Sequence, residues 1–234
     1  MTTDRARQAT FTDDLWFNKR TSPPHFPNII TLRPETSLGR VESARCAYAG
    51  PSVEFGVKDS FRSLDLTPLG FSTLLQASWL WRAPSFPEAS TNCLRWKRVN
   101  TKSELLAWET AWWPESSPAH SPYAVFNTSL LTHPSVTFLA GFDAGALVAG
   151  AAVTEAADVV GLTCVFVRRV TVACIRHELL PVIASRFPGK AIVVYAAGGE
   201  LMEWLACGFE EVGPLSVWLR KDVTCAVPER RSSR

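Results

Sequence analysis

Apolar and polar positions along the second half of the chain fall into short blocks separated by turn residues. Val136–Phe142 (VTFLAGF) is apolar, Asp143-Ala144-Gly145 is turn chemistry, and Ala146–Val153 resumes the apolar run, so the pair predicts a β-hairpin. Val159–Val167 (VVGLTCVFV) is rich in β-branched residues and predicts a third strand. The spacing of Leu179, Leu180, Ile183 and Phe187 predicts a helix over Ile175–Phe187, stopped by Pro188-Gly189. Pro181 inside it is expected to kink it. Ala191–Tyr195 (AIVVY) predicts a buried strand, Glu200–Cys207 a short helix closed by Gly208, and Phe209–Leu219 a last strand.

The first half is patterned less regularly. Asn28–Leu32 predicts a strand, and so does Val53–Phe61, where Val53, Phe55 and Val57 alternate with Glu54, Gly56 and Lys58. Leu38–Tyr48 fits a strand or a helix. The apolar set Phe71, Leu74, Leu75 and Trp79 predicts a helix over Leu69–Trp81. Residues 83–93 (APSFPEASTNC) have the composition of a linker. Beyond them, Thr101 and Glu104 form a capping box that starts a helix running to Trp112, before Pro114. The organisation expected is a flexible arm over 1–20, pinned by Trp16 and Phe17; an extension over 21–90 packed on the main domain; a main domain over 91–220; and a disordered tail over 221–234.

Composition narrows the function classes. The chain has 234 residues, 47% of them hydrophobic, with 24 basic and 22 acidic side chains for a net charge of +2. That balance gives no electrostatic case for nucleic acid. No apolar run reaches the length of a membrane span, and MTTDRARQATFTDDLW has no apolar signal region, so a cytoplasmic location is expected. Six cysteines without a CxxC pair, and four scattered histidines, offer no metal spacing. No P-loop or GxSxG occurs. Nine tryptophans are many for this length; Trp108, Trp112 and Trp113 share one predicted helix. They suit core packing, or an aromatic substrate pocket.

The order strand, strand, strand, helix, strand, helix, strand, with AIVVYAAGGELMEWLACGFEEVGPLSVWLR (191–220) ending in strand, short helix, Gly-Phe and final strand, resembles the GNAT acyltransferase superfamily. On that resemblance Leu94–Val99 is the first strand, Thr101–Trp112 the first helix and Pro122–Thr132 the second, and the likeness covers about 94–220. It implies an α+β fold with a GNAT-like mixed sheet flanked by helices, here with an N-terminal α/β extension. It also implies transfer of an acyl group from acetyl-CoA or another acyl-CoA to an amine or small-molecule acceptor. Val165 and Val167 would then lie on the donor strand. Arg168 and Arg169 would bind donor phosphates, and Thr171 would cap the helix whose N–H groups hold them. Glu155, or Asp158, is the candidate base, and Tyr195 a candidate donor to the departing thiolate. Lys58-Asp59-Ser60 places three polar groups at a strand end, where they can face a cleft. The sequence departs from the family at two places. Residues 168–174 contain no glycine, and Trp204 stands four before Gly208, where the family often has tyrosine. These departures suit a second reading, a non-catalytic GNAT-fold module that binds a ligand or protein.

Overall fold

The structure, a computed structural model, describes residues 9–19, 22–23, 26–48, 54–85, 93–113, 125–168 and 172–221. Its elements run β1 (Ala9–Phe11), β2 (Leu15–Asn18), β3 (Ile29–Thr31), α1 (Leu38–Cys46), β4 (Glu54–Asp59), β5 (Ser72–Arg82), β6 (Arg95–Arg98) and α2 (Lys102–Trp112). They continue β7 (Val136–Asp143), β8 (Ala146–Ala156), β9 (Val159–Val167), α3 (Val172–Arg186), β10 (Ala191–Ala196), α4 (Gly198–Ala206) and β11 (Glu210–Lys221). The chain divides into two units: residues 1–77 with 213–234, and residues 78–212. The division therefore falls within β5 and β11. Most of the expected linker, the tail from 222 onward and residues 122–124 of the expected second helix lie outside the described residues; Thr128–Thr132 of that helix forms a short 3₁₀ turn.

Residues 78–212 form a mixed sheet in the order β5-β10-β9-β8-β7-β6. The expected β7–β8 hairpin is present, and its two turn residues, Ala144 and Gly145, both take positive φ (45° and 88°), which matches the twist of the strands they join. β9 follows antiparallel to β8. β10 is parallel to β9, because α3 carries the chain back across the sheet before β10 begins. α3 continues through Pro181. One face of the sheet packs Val153, Val160, Leu162, Ile192 and Val194 against Leu179, Leu180 and Ile183 of α3 and Trp204 of α4. The other packs Phe138, Ala140 and Ala152 against Leu105 and Trp108 of α2.

α2 is fixed at both ends. The capping box forms as expected: Glu104 N donates to Thr101 Oγ1 at 3.2 Å, and Thr101 N to Glu104 Oε2 at 3.0 Å. Trp108 reaches into the sheet, where its indole N–H donates to Leu139 O at 2.8 Å. Gly150 on β8 leaves room for that ring. A Cβ built at Gly150 would stand 2.4 Å from both Trp108 Nε1 and Phe166 Cε1. Gly150→Ala is therefore expected to push two packed rings aside and cost about 1–3 kcal/mol. An unchanged urea midpoint would show that the rings have slack.

In the other unit, β1, β2 and β3 pair antiparallel in turn, β3 pairs parallel with β4, and β4 antiparallel with β11. Leu15, Ile29, Phe55, Val57 and Trp218 pack with Val41 and Ala44 of α1. Asp59 is buried and holds the turn after β4, accepting from Leu64 N at 2.8 Å, Phe61 N at 3.2 Å and Thr31 Oγ1 at 3.3 Å. Arg62 crosses to β5 and β11, donating to Ala77 O at 2.7 Å and Leu215 O at 3.2 Å. Arg40 clamps Asp14 with Nε and Nη2 (3.0 and 2.7 Å), and this partner holds the Asp14 carboxyl down at about 2.

Two expectations are corrected here. Residues 9–18 of the expected arm form the β1–β2 hairpin, joined to β3 through Leu15↔Thr31, Trp16↔Ile30 and Phe17↔Ile29. Leu69–Trp81 is not a helix; a 3₁₀ turn over Thr67–Leu69 leads into β5. Over 78–82 the alternation decides the outcome. Leu80 is fully buried, while Trp79 and Trp81 point to the opposite face, and pairing with β10 outweighs the helical spacing upstream.

Candidate acyl-transfer site

The site is built from a fault in the sheet. β9 and β10 pair only through Ala191↔Val159, Ile192↔Val160 and Val193↔Gly161. Beyond this row β9 continues with β8 to Val167↔Ala149, and β10 continues with β5 to Ala196↔Ser78. The two strands thus part after Val193 and Gly161. A β-bulge accounts for the divergence. The β8–β9 register shifts between Gly150 and Ala152, where the longer stretch of β9 contains Cys164 at φ 52°. An extra residue bends a strand and increases its local twist, turning β9 away from β10.

Tyr195 lies on β10 beside this gap, on the face opposite Val194 and Ala196. Its ring meets that of its cross-strand neighbour Trp79 edge-on at 5.6 Å. Burial raises the pKa of the phenol, and the Cys164 thiol and the Glu200 carboxylate raise it further. Tyr195 is therefore protonated at neutral pH, the state from which it can donate. Burial pushes the Cys164 thiol up to about 11, so this cysteine is not a thiolate nucleophile.

The other sequence-predicted residues are distributed unevenly around the gap. Val165 and Val167 lie on β9 where it runs beyond the β10 pairing. Arg168 follows directly, and its guanidinium caps α2. Nε donates to Ala111 O at 2.5 Å, and Nη2 to Trp113 O at 2.5 Å and Thr110 O at 3.3 Å. A cation on the last carbonyls of a helix is well placed against the helix dipole. Arg169 and Thr171 lie outside the described residues. Glu155 sits at the far end of β8, paired with Val160, and its carboxylate meets Lys190 Nζ at 2.6 Å. Val160 pairs in turn with Ile192, three residues before Tyr195, so Glu155 is set back roughly 10 Å along the sheet from the phenol. The structure does not bring these two together. Asp158 is in the turn beyond Glu155.

Trp204 is a core residue. It is 2% exposed, meets Phe209 edge-on at 5.0 Å, and carries the Arg176 guanidinium over its ring at 4.7 Å. Arg176 of α3 is itself buried and pairs with Glu203 and, at 3.7 Å, with Glu200 of α4. The position where the family often carries a tyrosine thus serves here to lock α3 to α4. Sequence reasoning missed Trp79, Cys164 and Glu200. Trp79 was hidden by the helical spacing, Cys164 by a bulge that no residue pattern announces. Glu200 sits two residues after Gly198-Gly199 begins a helix, next to a strand-ending tyrosine, and that adjacency is a usable signal. Among the described residues there is no cluster of metal-ligating side chains, and no helix long and apolar enough to cross a membrane.

No family model matches the sequence, and no curated protein matches it. Solved structures do. A conserved protein of unknown function from Staphylococcus epidermidis is similar with a TM-score of 0.65 at 11% identity, over 92% of this chain and 93% of that one. A putative GNAT-family acetyltransferase from Novosphingobium aromaticivorans is similar at 0.58 and 13%, over 93% and 92%. A GCN5-related N-acetyltransferase from Kribbella flavida is similar at 0.57 and 14%, over 92% and 89%. The likeness extends well beyond the 94–220 stretch that the sequence suggests. The β9–β10 pair, parted at the bulge and reached through α3, belongs to an architecture these acetyltransferases share, and the chain has the GNAT N-acetyltransferase fold.

Proposed function

We propose that the protein is an acyl-CoA-dependent N-acyltransferase, taking acetyl-CoA or another acyl-CoA as donor and a small-molecule amine as acceptor. The observation that carries this reading is the gap between β9 and β10 with a protonated Tyr195 beside it. The donor's thioester arm enters the gap along Val165 and Val167 of β9, whose backbone groups there do not ladder with β10. Arg169, Thr171 and the N-terminus of α3 hold the phosphates. Arg168 holds α2 in place beside them. The acceptor nitrogen attacks the thioester carbonyl, and the N–C bond forms as the C–S bond breaks. The departing sulfur takes the Tyr195 proton. The proton shed by the nitrogen passes to a base or to water, and Tyr195 recovers its own from solvent. For the base we assign Glu200, whose charge Tyr195 feels, in place of Glu155, which is bound to Lys190. Cys164 and Cys207 are thiols, in keeping with a reducing compartment such as the cytoplasm.

The test is thiol release from acetyl-CoA with a panel of primary amines. Tyr195→Phe, which keeps the ring and removes the proton, is expected to lower kcat about 10- to 100-fold, within the range of general acid catalysis. Its affinity for acetyl-CoA should stay at the wild-type value. The buried Trp204 favours the second reading, a GNAT-fold module that binds without catalysis. Acetyl-CoA binding with no thiol release for any amine would favour that module.

A further inference from the structure

The sheet face beside the gap is aromatic and carries no formal charge. On β5, Trp79 and Trp81 alternate with Leu80 and Arg82, so both indoles share one face while the guanidinium lies on the other. On β10, Val193 and Tyr195 pair with Trp81 and Trp79 on that same face. All four side chains are half-buried. Across the gap β9 adds Thr163 and Cys164, and both the thiol and the phenol are held in their neutral forms. One carboxylate acts on this face, that of Glu200, which is 67% exposed and raises the Tyr195 phenol.

An acceptor bearing several cations needs several carboxylates around it, since each ammonium must be compensated as it loses water. This face offers one. It offers two indoles and a valine, which recognise a flat apolar group by area and an ammonium by the negative ring face. On the acyltransferase reading, we propose that the acceptor is an arylalkylamine: one primary amine on a short link to an aromatic ring. The ring lies on Trp79 and Trp81. The amine reaches the gap beside Tyr195, with Glu200 as its one counter-charge.

The full-length protein is titrated calorimetrically with tryptamine, with spermidine and, separately, with acetyl-CoA. Tryptamine should bind at least 10-fold more tightly than spermidine. Trp79→Ala should weaken tryptamine at least 10-fold, and Trp79→Phe should recover most of the loss, because it restores a ring. If the alanine variant does not fold, Trp79→Leu, which keeps apolar bulk without a ring, must show the same loss. Spermidine binding as tightly as tryptamine, no tryptamine binding, or equal tryptamine affinity in wild type and the ringless variants overturns the proposal. Binding of tryptamine without any binding of acetyl-CoA keeps the aromatic amine site and overturns the acyltransferase reading instead.

Discussion

Replacing Trp108 by alanine should lower stability by about 3–5 kcal/mol, the range for deleting a large buried aromatic side chain. Trp108 is fully buried. Its ring meets Phe126, Phe138 and Phe166 edge-on at 5.6, 5.1 and 5.2 Å, and lies nearly parallel to Trp112 at 6.4 Å. The change removes these contacts and leaves Leu139 O without its indole donor. The neighbouring rings are themselves wedged between α2 and the sheet, so the cavity has little freedom to collapse. Trp108→Phe separates the two contributions. It keeps most of the apolar area but loses the hydrogen bond, and should cost about 1–3 kcal/mol. Urea unfolding gives both values from the midpoint, provided the slope is unchanged. A loss below about 1 kcal/mol for the alanine variant would mean that α2 is not anchored through this residue.

The parts of the fold that were legible share a cause. Strands β7, β8, β9 and β10 and helices α2 and α3 announce themselves by local signals: alternation, a turn dipeptide, a capping box, a Pro-Gly stop. Each signal agrees with the tertiary structure, so reading the residues one window at a time is enough. β5 fails that test. Its apolar residues at 71, 74, 75 and 79 have helical spacing, and only the later partner β10, more than a hundred residues away, selects the extended form. β1 fails for a related reason. Thr12-Asp13-Asp14 looks like solvated chain, yet Thr12 Oγ1 bonds Asp14 Oδ1 at 2.8 Å and the turn closes a hairpin. The site was legible in outline, because Tyr195 ends a strand followed by a glycine-led helix. Its chemistry was less so. Arg168 looks like a phosphate ligand in sequence, and only the folded chain reveals the open carbonyls of α2 within its reach.

Lys58 should make stability depend on pH in a direction opposite to that of a paired lysine. It lies on β4 between Ile30 of β3 and Val217 of β11, and burial pulls its ammonium from the ordinary 10.5 down to about 7. Between pH 7 and 10.5 the unfolded chain therefore holds a proton at this side chain that the folded protein lacks. Unfolding takes up a proton, so raising the pH through this window stabilises the fold. Below pH 7 the lysine is charged in both states, and the folded state bears the full desolvation cost, of order a few kcal/mol. Lys58→Met keeps the apolar stem and removes the charge. It should be more stable than wild type by a few kcal/mol at pH 6, with the advantage shrinking steadily toward pH 10. Comparing the two proteins in urea at pH 6, 8 and 9.5 cancels the titration of every other group that the substitution leaves alone. A difference that stays constant across the three pH values would mean that Lys58 keeps its proton throughout, and that Ser60 or another neighbour solvates the ammonium where it lies.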